Sequence, residues 1–252
     1  MPSRRFAFVL GLFALVVSAR AVPTFAQVSS ASSAPSGSAS VDEIVAKNLQ
    51  AKGGTDRLQA ITSVKQTSAL VAQGMQATVV VYAKRPNFIR QELSLGPEKM
   101  INAYDGTTPW TLNSLSATKT AVALTGSPAD LLRDQADFDG ALVNYKARGA
   151  KLELVGAEDL NGRRVQHLRL VSSTNHVQHY YLDALTGLET RLVTELDKGT
   201  LEQDLSDFRS VNGVMFPFSI VTSMNGAPQA RLTVSTIEVN VAVDDASFRM
   251  PK

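Results

Sequence analysis

The sequence has few of the side chains that commonly act as nucleophiles or metal ligands. It contains no cysteine and only three histidines in 252 residues. The missing cysteine excludes disulfides, a thiolate nucleophile and cysteine-ligated zinc, so the fold has to be held by a hydrophobic core. The sequence also lacks a Gly-x-Ser-x-Gly elbow, a phosphate loop and a dinucleotide-binding fingerprint. No motif therefore supports a hydrolase or a nucleotide-binding function.

The chain also lacks an excess of either charge once its first residues are set aside. The whole sequence has 25 Lys and Arg against 23 Asp and Glu. The first 26 residues hold Arg4, Arg5 and Arg20 and no acid, which leaves 22 basic and 23 acidic side chains in the remainder. This balance shows neither a nucleic-acid footprint nor a polybasic membrane patch, so we expect no nucleic-acid partner.

The N-terminus has the pattern of a secretory signal. Two arginines precede an apolar run over residues 6–19, which only one glycine and one serine interrupt. This run is shorter than the roughly 18 residues of a membrane-spanning helix, which favours a cleaved signal peptide over a transmembrane anchor. We therefore predict a signal peptide over residues 1–26, with small residues that suit cleavage after Ala21 or Ala26. No cysteine follows for lipid attachment.

The rest of the chain divides into a tether and one domain. Residues 27–39 are rich in Ser, Ala, Pro and Gly and have nothing to bury, which predicts disorder. Residues 40–252 suit a single domain, because barrels and sandwiches of roughly 200–250 residues commonly form one. Ser40 and Glu43 fit a capping box that opens a helix, and Gly53 stops it.

The clearest strand pattern is a meander that follows this helix. A strand over residues 77–83 ends at Pro86, because proline cannot donate a ladder hydrogen bond and biases the preceding residue away from helix. A second strand begins at Phe88 and a third ends at Tyr104. The Asp-Gly pair at 105–106 is typical of a tight hairpin turn. The pattern predicts antiparallel strands joined by short turns.

Later segments repeat this strand character. Residues 188–196 and 214–220 alternate apolar and polar side chains with a period of two, which indicates one wet face. In the last long strand the alternation changes phase near Ser235 and Thr236, which predicts a bulge that curves the sheet towards closure. About a dozen short strands are predicted, too many for a flat sheet. The fold class is therefore mainly β, with a small α component.

One segment without strand character interrupts the pattern. Pro128 behind Ser127 predicts a helix start with the serine as its cap. The helix covers about two turns over residues 129–136, with Leu131 and Leu132 as its apolar contribution. A helix this short has to pack against something. It is either a lid over a cavity or a packed crossover, and the residues alone favour the crossover.

The three histidines are the one candidate metal site. His176-x-x-His179 lies at a predicted hairpin where His167 would approach from the neighbouring strand, which permits a three-histidine zinc site. The spacing is weak support, and no His-Glu-x-x-His context is present. Two surface histidines and one sheet histidine are the favoured interpretation.

Several motifs resemble a known family. A strand, Lys-Arg-Pro-Asn at 84–87, a strand and Asp-Gly-x-x-x-Trp at 105–110 resemble the LolA-like periplasmic lipoprotein carriers. Residues 181–188, 207–219 and 243–251 are similar to bacterial proteins of outer-membrane lipoprotein sorting. The resemblance covers nearly the whole mature chain in short pieces. It implies a half-open antiparallel β-barrel of about a dozen strands, with an N-terminal helix and a short helical lid or plug.

The resemblance also implies a site. Arg85 would hold the lid through hydrogen bonds, since a guanidinium can serve several carbonyl acceptors at once. From the residues alone, Arg85 could be an ordinary arginine at the barrel rim and Trp110 a tryptophan packed in the core. The spacing between the two, which matches the carrier family, favours a functional role. We expect an apolar interior that Trp110 lines or borders. The candidate residues for lipid or lipoprotein binding or for latching the lid are Arg85, Phe88, Tyr104, Trp110, Leu131 and Leu132.

The implied function is that of a periplasmic carrier. It would bind lipid or the acyl chains of lipoproteins and deliver them towards the outer membrane as a monomer, without catalysis, cofactor or metal. Its partners would be the cargo, an inner-membrane donor complex and an outer-membrane acceptor. Two alternatives stay open: a non-transporting sensor or scaffold that binds a protein partner, and a metalloenzyme built around the histidines.

Overall fold

The computed structural model describes residues 39–116 and 119–251, so the predicted signal peptide and all but the last residue of the predicted tether lie outside the described residues. The helices are α1 (Val41–Ala51), α2 (Thr55–Ala60) and α3 (Ser127–Gln135), and a short 3-10 helix follows near the C-terminus (Asp245–Phe248). Within the described residues, no helix combines the length and apolar character needed to cross a membrane.

Thirteen antiparallel strands in the described chain form one sheet. Most are long enough to carry alternating inner and outer side chains along several pleats. They are β1 (Ser63–Ala72), β2 (Met75–Lys84), β3 (Phe88–Leu95), β4 (Glu98–Asp105), β5 (Pro109–Asn113), β6 (Val122–Ala123), β7 (Lys151–Leu160), β8 (Arg163–Val171), β9 (Val177–Asp183), β10 (Glu189–Leu196), β11 (Gly199–Val211), β12 (Val214–Met224) and β13 (Ala227–Val239).

Two meanders meet to make this sheet. The strand order is β6-β5-β4-β3-β2-β1-β13-β12-β11-β10-β9-β8-β7, so consecutive strands are neighbours except β6 and β7. Among the described strands, the one pairing of non-consecutive strands is β1 with β13. The sheet does not close, because β6 and β7 each pair on one side only. A curved, open antiparallel sheet of this size with few helices is the half-open β-barrel predicted above.

Local signals in the sequence explain several of the observed boundaries. The capping box is present, since the Ser40 side chain accepts from the Glu43 amide and Glu43 accepts from the Ser40 amide. The predicted bulge is confirmed by a register shift in the β1–β13 pairing that leaves Ser235 unpaired. One prediction is wrong: Gly126, not Ser127, caps α3, and the Ser127 hydroxyl instead donates to Asp197 beside the β10–β11 turn.

The inner face of the curved sheet holds the hydrophobic core. One buried cluster joins neighbouring strands through Leu70, Val79, Leu93, Met100, Ile220 and Leu232. At the other side of the barrel, Ile44 and Val45 of α1 pack on Leu168, Leu170 and Leu182. Full burial of one such side chain contributes about 1.5–3 kcal/mol, so these contacts place α1 firmly against the inner face.

A close backbone approach fixes the end of α1. Gly53 has φ 124°, and a Cβ atom there would lie 2.3 Å from the Gly213 carbonyl oxygen in the β11–β12 turn. The Met215 amide donates to the Lys52 carbonyl over 2.9 Å in the same place. Only glycine fits this approach, and it positions the last turn of α1 at the end of the barrel.

Candidate functional site

The chain between the two free sheet edges crosses the open side of the barrel. Residues 124–150 connect β6 to β7, and these strands lie at opposite ends of the strand order. We call this segment the lid. Its helix α3 packs on the inner face, where Leu132 and Ala136 join Ile89 and Tyr104 in a buried cluster. The segment is therefore both a connection and a cover.

A cavity of about 470 Å³ lies between the lid, the first two helices and the inner face of the sheet. Such a volume falls within the roughly 300–1,000 Å³ of ordinary ligand sites. The sheet contributes side chains from both meanders, and the lid contributes a continuous stretch at 137–143. Apolar side chains from all these elements face the space: Leu49, Leu58, Ile61, Val81, Ile89, Leu131, Phe138, Leu192, Leu205 and Phe216.

Arg85 joins the lid to α2. Its Nη1 and Nη2 donate to Asp139 Oδ2 and Oδ1 of the lid over 2.7 and 2.6 Å, a bidentate pair. Its Nε donates to the Ile61 carbonyl over 2.8 Å and Nη2 to the Leu58 carbonyl over 3.1 Å. The guanidinium carbon lies 4.7 Å from the centre of the Phe138 ring. One side chain thus connects two separate segments that both line the cavity.

The Arg85 contacts suit a strong and orientation-specific bond. Bidentate arginine–carboxylate pairs add geometry as well as energy, and carbonyls at a helix C-terminus attract cations. Both side chains are 26% exposed, so water screens the pair only in part. The hydrogen bonds from Arg85 lower the pKa of Asp139 from its ordinary value of 3.8. The ion pair therefore persists at neutral and mildly acidic pH and is lost only as pH falls below the ordinary carboxyl range.

Other polar contacts hold the rest of the lid. Gln91 of β3 donates to Gln135 of α3 over 2.9 Å, and His176 Nδ1 lies 3.1 Å from Asp134 Oδ2. Burial raises the pKa of Asp134, while the neighbouring His176 acts in the opposite direction. Near the lid's end, the Tyr145 hydroxyl donates to Asp42 of α1 over 2.8 Å. Polar contacts therefore fasten the lid along its length, in addition to its apolar packing on the inner face.

Three of the predicted site residues, Leu131, Leu132 and Tyr104, lie at the cavity or in the buried cluster beside it. Leu131 lines the cavity. Leu132 is buried next to Tyr104 under the lid, and the Tyr104 hydroxyl donates to the Gly106 carbonyl over 2.8 Å. The structure brings these side chains together on the inner face, with Arg85 at the neighbouring corner.

Phe88 and Trp110 lie on the opposite, outer face, so the expectation that Trp110 lines or borders the cavity is wrong. Trp110 Nε1 donates to the Phe248 carbonyl over 2.8 Å, and the indole is 1% exposed. The Phe88 and Phe248 rings lie 5.4 Å apart, and Arg90 donates to the Ser247 carbonyl over 2.8 Å. The C-terminal 3-10 helix covers this patch. Both aromatic residues therefore belong to a second, outer core.

Sequence reasoning also missed the polar side chains of the cavity. Gln66, Gln178, Thr194 and Gln203 line it from four different strands of the sheet. Each occupies an inner position of its strand, as Gln203 does between Leu201 and Leu205. The available signal was a polar residue at a position where the alternation of the strand predicts an apolar one. This signal points to a cavity only when it is already known which face of the strand is turned inward.

Sequence comparisons identify no family, and the similarity that is found lies in the fold. No protein-family model matches the chain, and no curated protein matches its sequence. Among solved structures, a DUF1329 family protein from Desulfovibrio piger superposes with a TM-score of 0.58 at 12% identity, covering 83% of this chain and 97% of that one.

Two further structures superpose comparably well. A domain described as an outer membrane lipoprotein-sorting protein from Vibrio parahaemolyticus has a TM-score of 0.56 at 10% identity, over 82% of this chain and 94% of its own. A LolA superfamily protein from Nitrosomonas europaea has a TM-score of 0.56 at 14% identity, over 84% and 98%. The chain has a LolA-like fold. At these identities the likeness concerns the fold alone.

The histidines of this LolA-like chain do not converge on one point. His167 Nε2 and His179 Nδ1 are 2.8 Å apart on neighbouring strands, whereas His176 belongs to the lid contact with Asp134. Among residues 39–116 and 119–251, no group of three or more histidine, aspartate or glutamate side chains is arranged to hold a metal ion. The three-histidine zinc site considered from the sequence is therefore absent from the described residues.

Proposed function

We propose that this LolA-like protein is a carrier that holds the acyl part of a lipid or lipoprotein in its cavity. The observation that carries the proposal is a cavity of about 470 Å³ whose cover is fastened by Arg85 to an element outside the lid. The cover can open while the sheet stays intact, because the cover connects two free edges and adds no strand between them. No reaction is required.

The energetics of acyl chains explain why such a cavity is useful. Exposing a chain to water costs about 0.8 kcal/mol per methylene, so a sixteen-carbon chain costs roughly 12 kcal/mol. Free diffusion between membranes is then negligible. A carrier has to approach the affinity of the membrane without exceeding it, since a tighter grip would prevent release. A lid held by apolar packing and a few polar contacts is one solution to both requirements.

In the proposed cycle, Arg85 acts as the latch. With the lid closed, its guanidinium bonds Asp139, Leu58 and Ile61. When the lid moves away, the two carbonyls can keep the arginine oriented while Asp139 goes to water. We propose the periplasm as the site of this cycle, between an inner-membrane donor complex and an outer-membrane acceptor, and the predicted signal peptide supports this proposal.

Native mass spectrometry tests the proposal directly. We expect protein that is exported by a Gram-negative host to carry a lipid-sized mass, or to take up one acylated peptide per chain after delipidation. Solvent extraction of the purified protein should return the bound molecule. Protein that neither carries lipid nor takes up an acylated ligand, and instead holds a stoichiometric protein partner, would show a sensor or scaffold and exclude the carrier.

A further inference from the structure

The inner face of the barrel is not uniformly apolar beneath the lid. Three successive strands carry polar side chains that line the cavity: Gln178 of β9 lies directly opposite Thr194 of β10, and Gln203 follows on β11. We call these three residues the polar belt. A cavity built only to shield hydrocarbon gains nothing from such a row.

Much of the hydrogen-bonding capacity of the belt is unused. Within the described residues, the side chains of Thr194 and Gln203, which both line the cavity, make no hydrogen bond. Asn48, which lines the same cavity from α1 and is fully buried, donates to the Gly187 carbonyl but leaves its own Oδ1 unpaired. Buried polar groups in native proteins are usually paired, so these groups point to a bound molecule with matching groups.

The charges around the cavity restrict that molecule further. Its lining contains four carboxylates, and the one cation among the lining residues, Lys52, is engaged by Glu189 over 3.0 Å. Two of the carboxylates are held by arginines, Asp139 by Arg85 and Asp137 by Arg148. No unpaired cation therefore remains among the lining residues to hold an anionic headgroup, whereas an uncharged polar head needs none.

Building on the proposed carrier function, we infer that the polar belt selects uncharged acyl esters over bare alkyl chains and fatty-acid anions. The Gln178 and Gln203 amides can donate to ester carbonyls, and the Thr194 hydroxyl can donate or accept. An acylglycerol presents esters and free hydroxyls at the head of its chain. The apolar lining binds the acyl chain, and the polar belt binds the ester end of the ligand.

Competition between ligands of equal chain length tests the inference. Delipidated wild-type protein is titrated at neutral pH with monopalmitoylglycerol, palmitate and hexadecane. We expect the ester to bind about tenfold more tightly than either competitor, which corresponds to one or two net hydrogen bonds. A diacylated lipopeptide in a parallel titration distinguishes a protein-linked acyl ester from a free acylglycerol, and preference for either over palmitate supports the inference.

Two belt variants show where selectivity resides. Thr194→Val is nearly isosteric and Gln203→Leu keeps the bulk of the side chain, so both should retain hexadecane binding while the preference for the ester falls severalfold. Thr233→Val, at an exposed position of β13, is the matched control and should change nothing. Equal wild-type affinity for ester and palmitate, or a preference that survives both variants, would overturn the inference alone. Failure to bind any of the ligands would overturn the carrier function with it.

Discussion

Arg85→Leu is expected to accelerate the release of a bound acylated peptide at least severalfold while leaving the fold intact. The substitution removes the bidentate pair with Asp139 and the bonds to two carbonyls of the α2 segment. Charge-assisted hydrogen bonds contribute about 1.5–3 kcal/mol each before solvent screening. After a discount for partial exposure, a shift of 1.4 kcal/mol remains reasonable and corresponds to about tenfold in the open population.

The measurement is transfer of a labelled acylated peptide from the protein to acceptor liposomes. Arg209→Leu is the matched control, because Arg209 also forms a bidentate pair with an aspartate, Asp207, and lies 4.5 Å from the ring centre of Phe218, but these contacts include no lid residue. Lys84→Leu is a less clean control, since Lys84 binds Asp245 of the C-terminal segment. Equal small effects of Arg85→Leu and Arg209→Leu would show that Arg85 is an ordinary surface charge.

Trp110→Ala is expected to give the largest loss of stability, about 3–5 kcal/mol in the free energy of unfolding. The indole is 1% exposed and holds the C-terminal 3-10 helix against the outer face through its bond to the Phe248 carbonyl. Truncation creates a cavity there and also removes the hydrogen bond from the indole to the Phe248 carbonyl. Chemical denaturation monitored by circular dichroism measures the change.

Two controls separate packing from hydrogen bonding at this position. Trp110→Phe keeps most of the apolar volume and loses the bond to Phe248, so we expect a smaller loss of about 1–3 kcal/mol. Leu185→Ala removes a large side chain that is 87% exposed and should stay within about 0.5 kcal/mol of wild type. If Trp110→Ala were as mild as Leu185→Ala, the outer core would contribute nothing to stability. Ligand binding should leave tryptophan emission unchanged, since Trp110 lies outside the cavity.

Local chemistry made much of the fold predictable. The capping box of Ser40, the strand end before Pro86 and the phase change at Ser235 each follow from interactions within a few residues, and the structure contains all three. Strand number and curvature follow from the same signals repeated along the chain. A mainly β fold with a curved sheet could therefore be predicted from local signals, whereas the half-open barrel was implied by the resemblance to the LolA-like carriers.

Long-range contacts set the limits of that prediction. Asp139 lies 54 residues from Arg85, and no periodicity connects an arginine at a strand corner with an aspartate in an irregular segment. The direction of Trp110 depends on Phe248, which is 138 residues away. In a strand of five residues such as β5, alternation alone does not tell the inner from the outer face. Of the two motif residues, Arg85 contacts the lid, whereas Trp110 belongs to the outer core.

The role of the lid could also be predicted only in part from the sequence. From the residues alone, a packed crossover was favoured for the segment that contains α3, and the segment proves to be both crossover and cover. This outcome depends on β6 and β7 being the free edges of the sheet, which is a property of topology. Short helices carry no sequence signal for the surface they cover.

Photo-crosslinking tests the central claim, that an acyl chain lies in the cavity beneath the lid. A diacylated lipopeptide with a diazirine at the end of its chain is bound to the full mature protein, irradiated and mapped by peptide mass spectrometry. We predict attachment to the lid at Leu131 or Phe138 and to the barrel at Val81 or Leu205, all of which line the cavity. Attachment confined to the outer face, or to the separate apolar groove around Met75 and Leu115, would contradict the account.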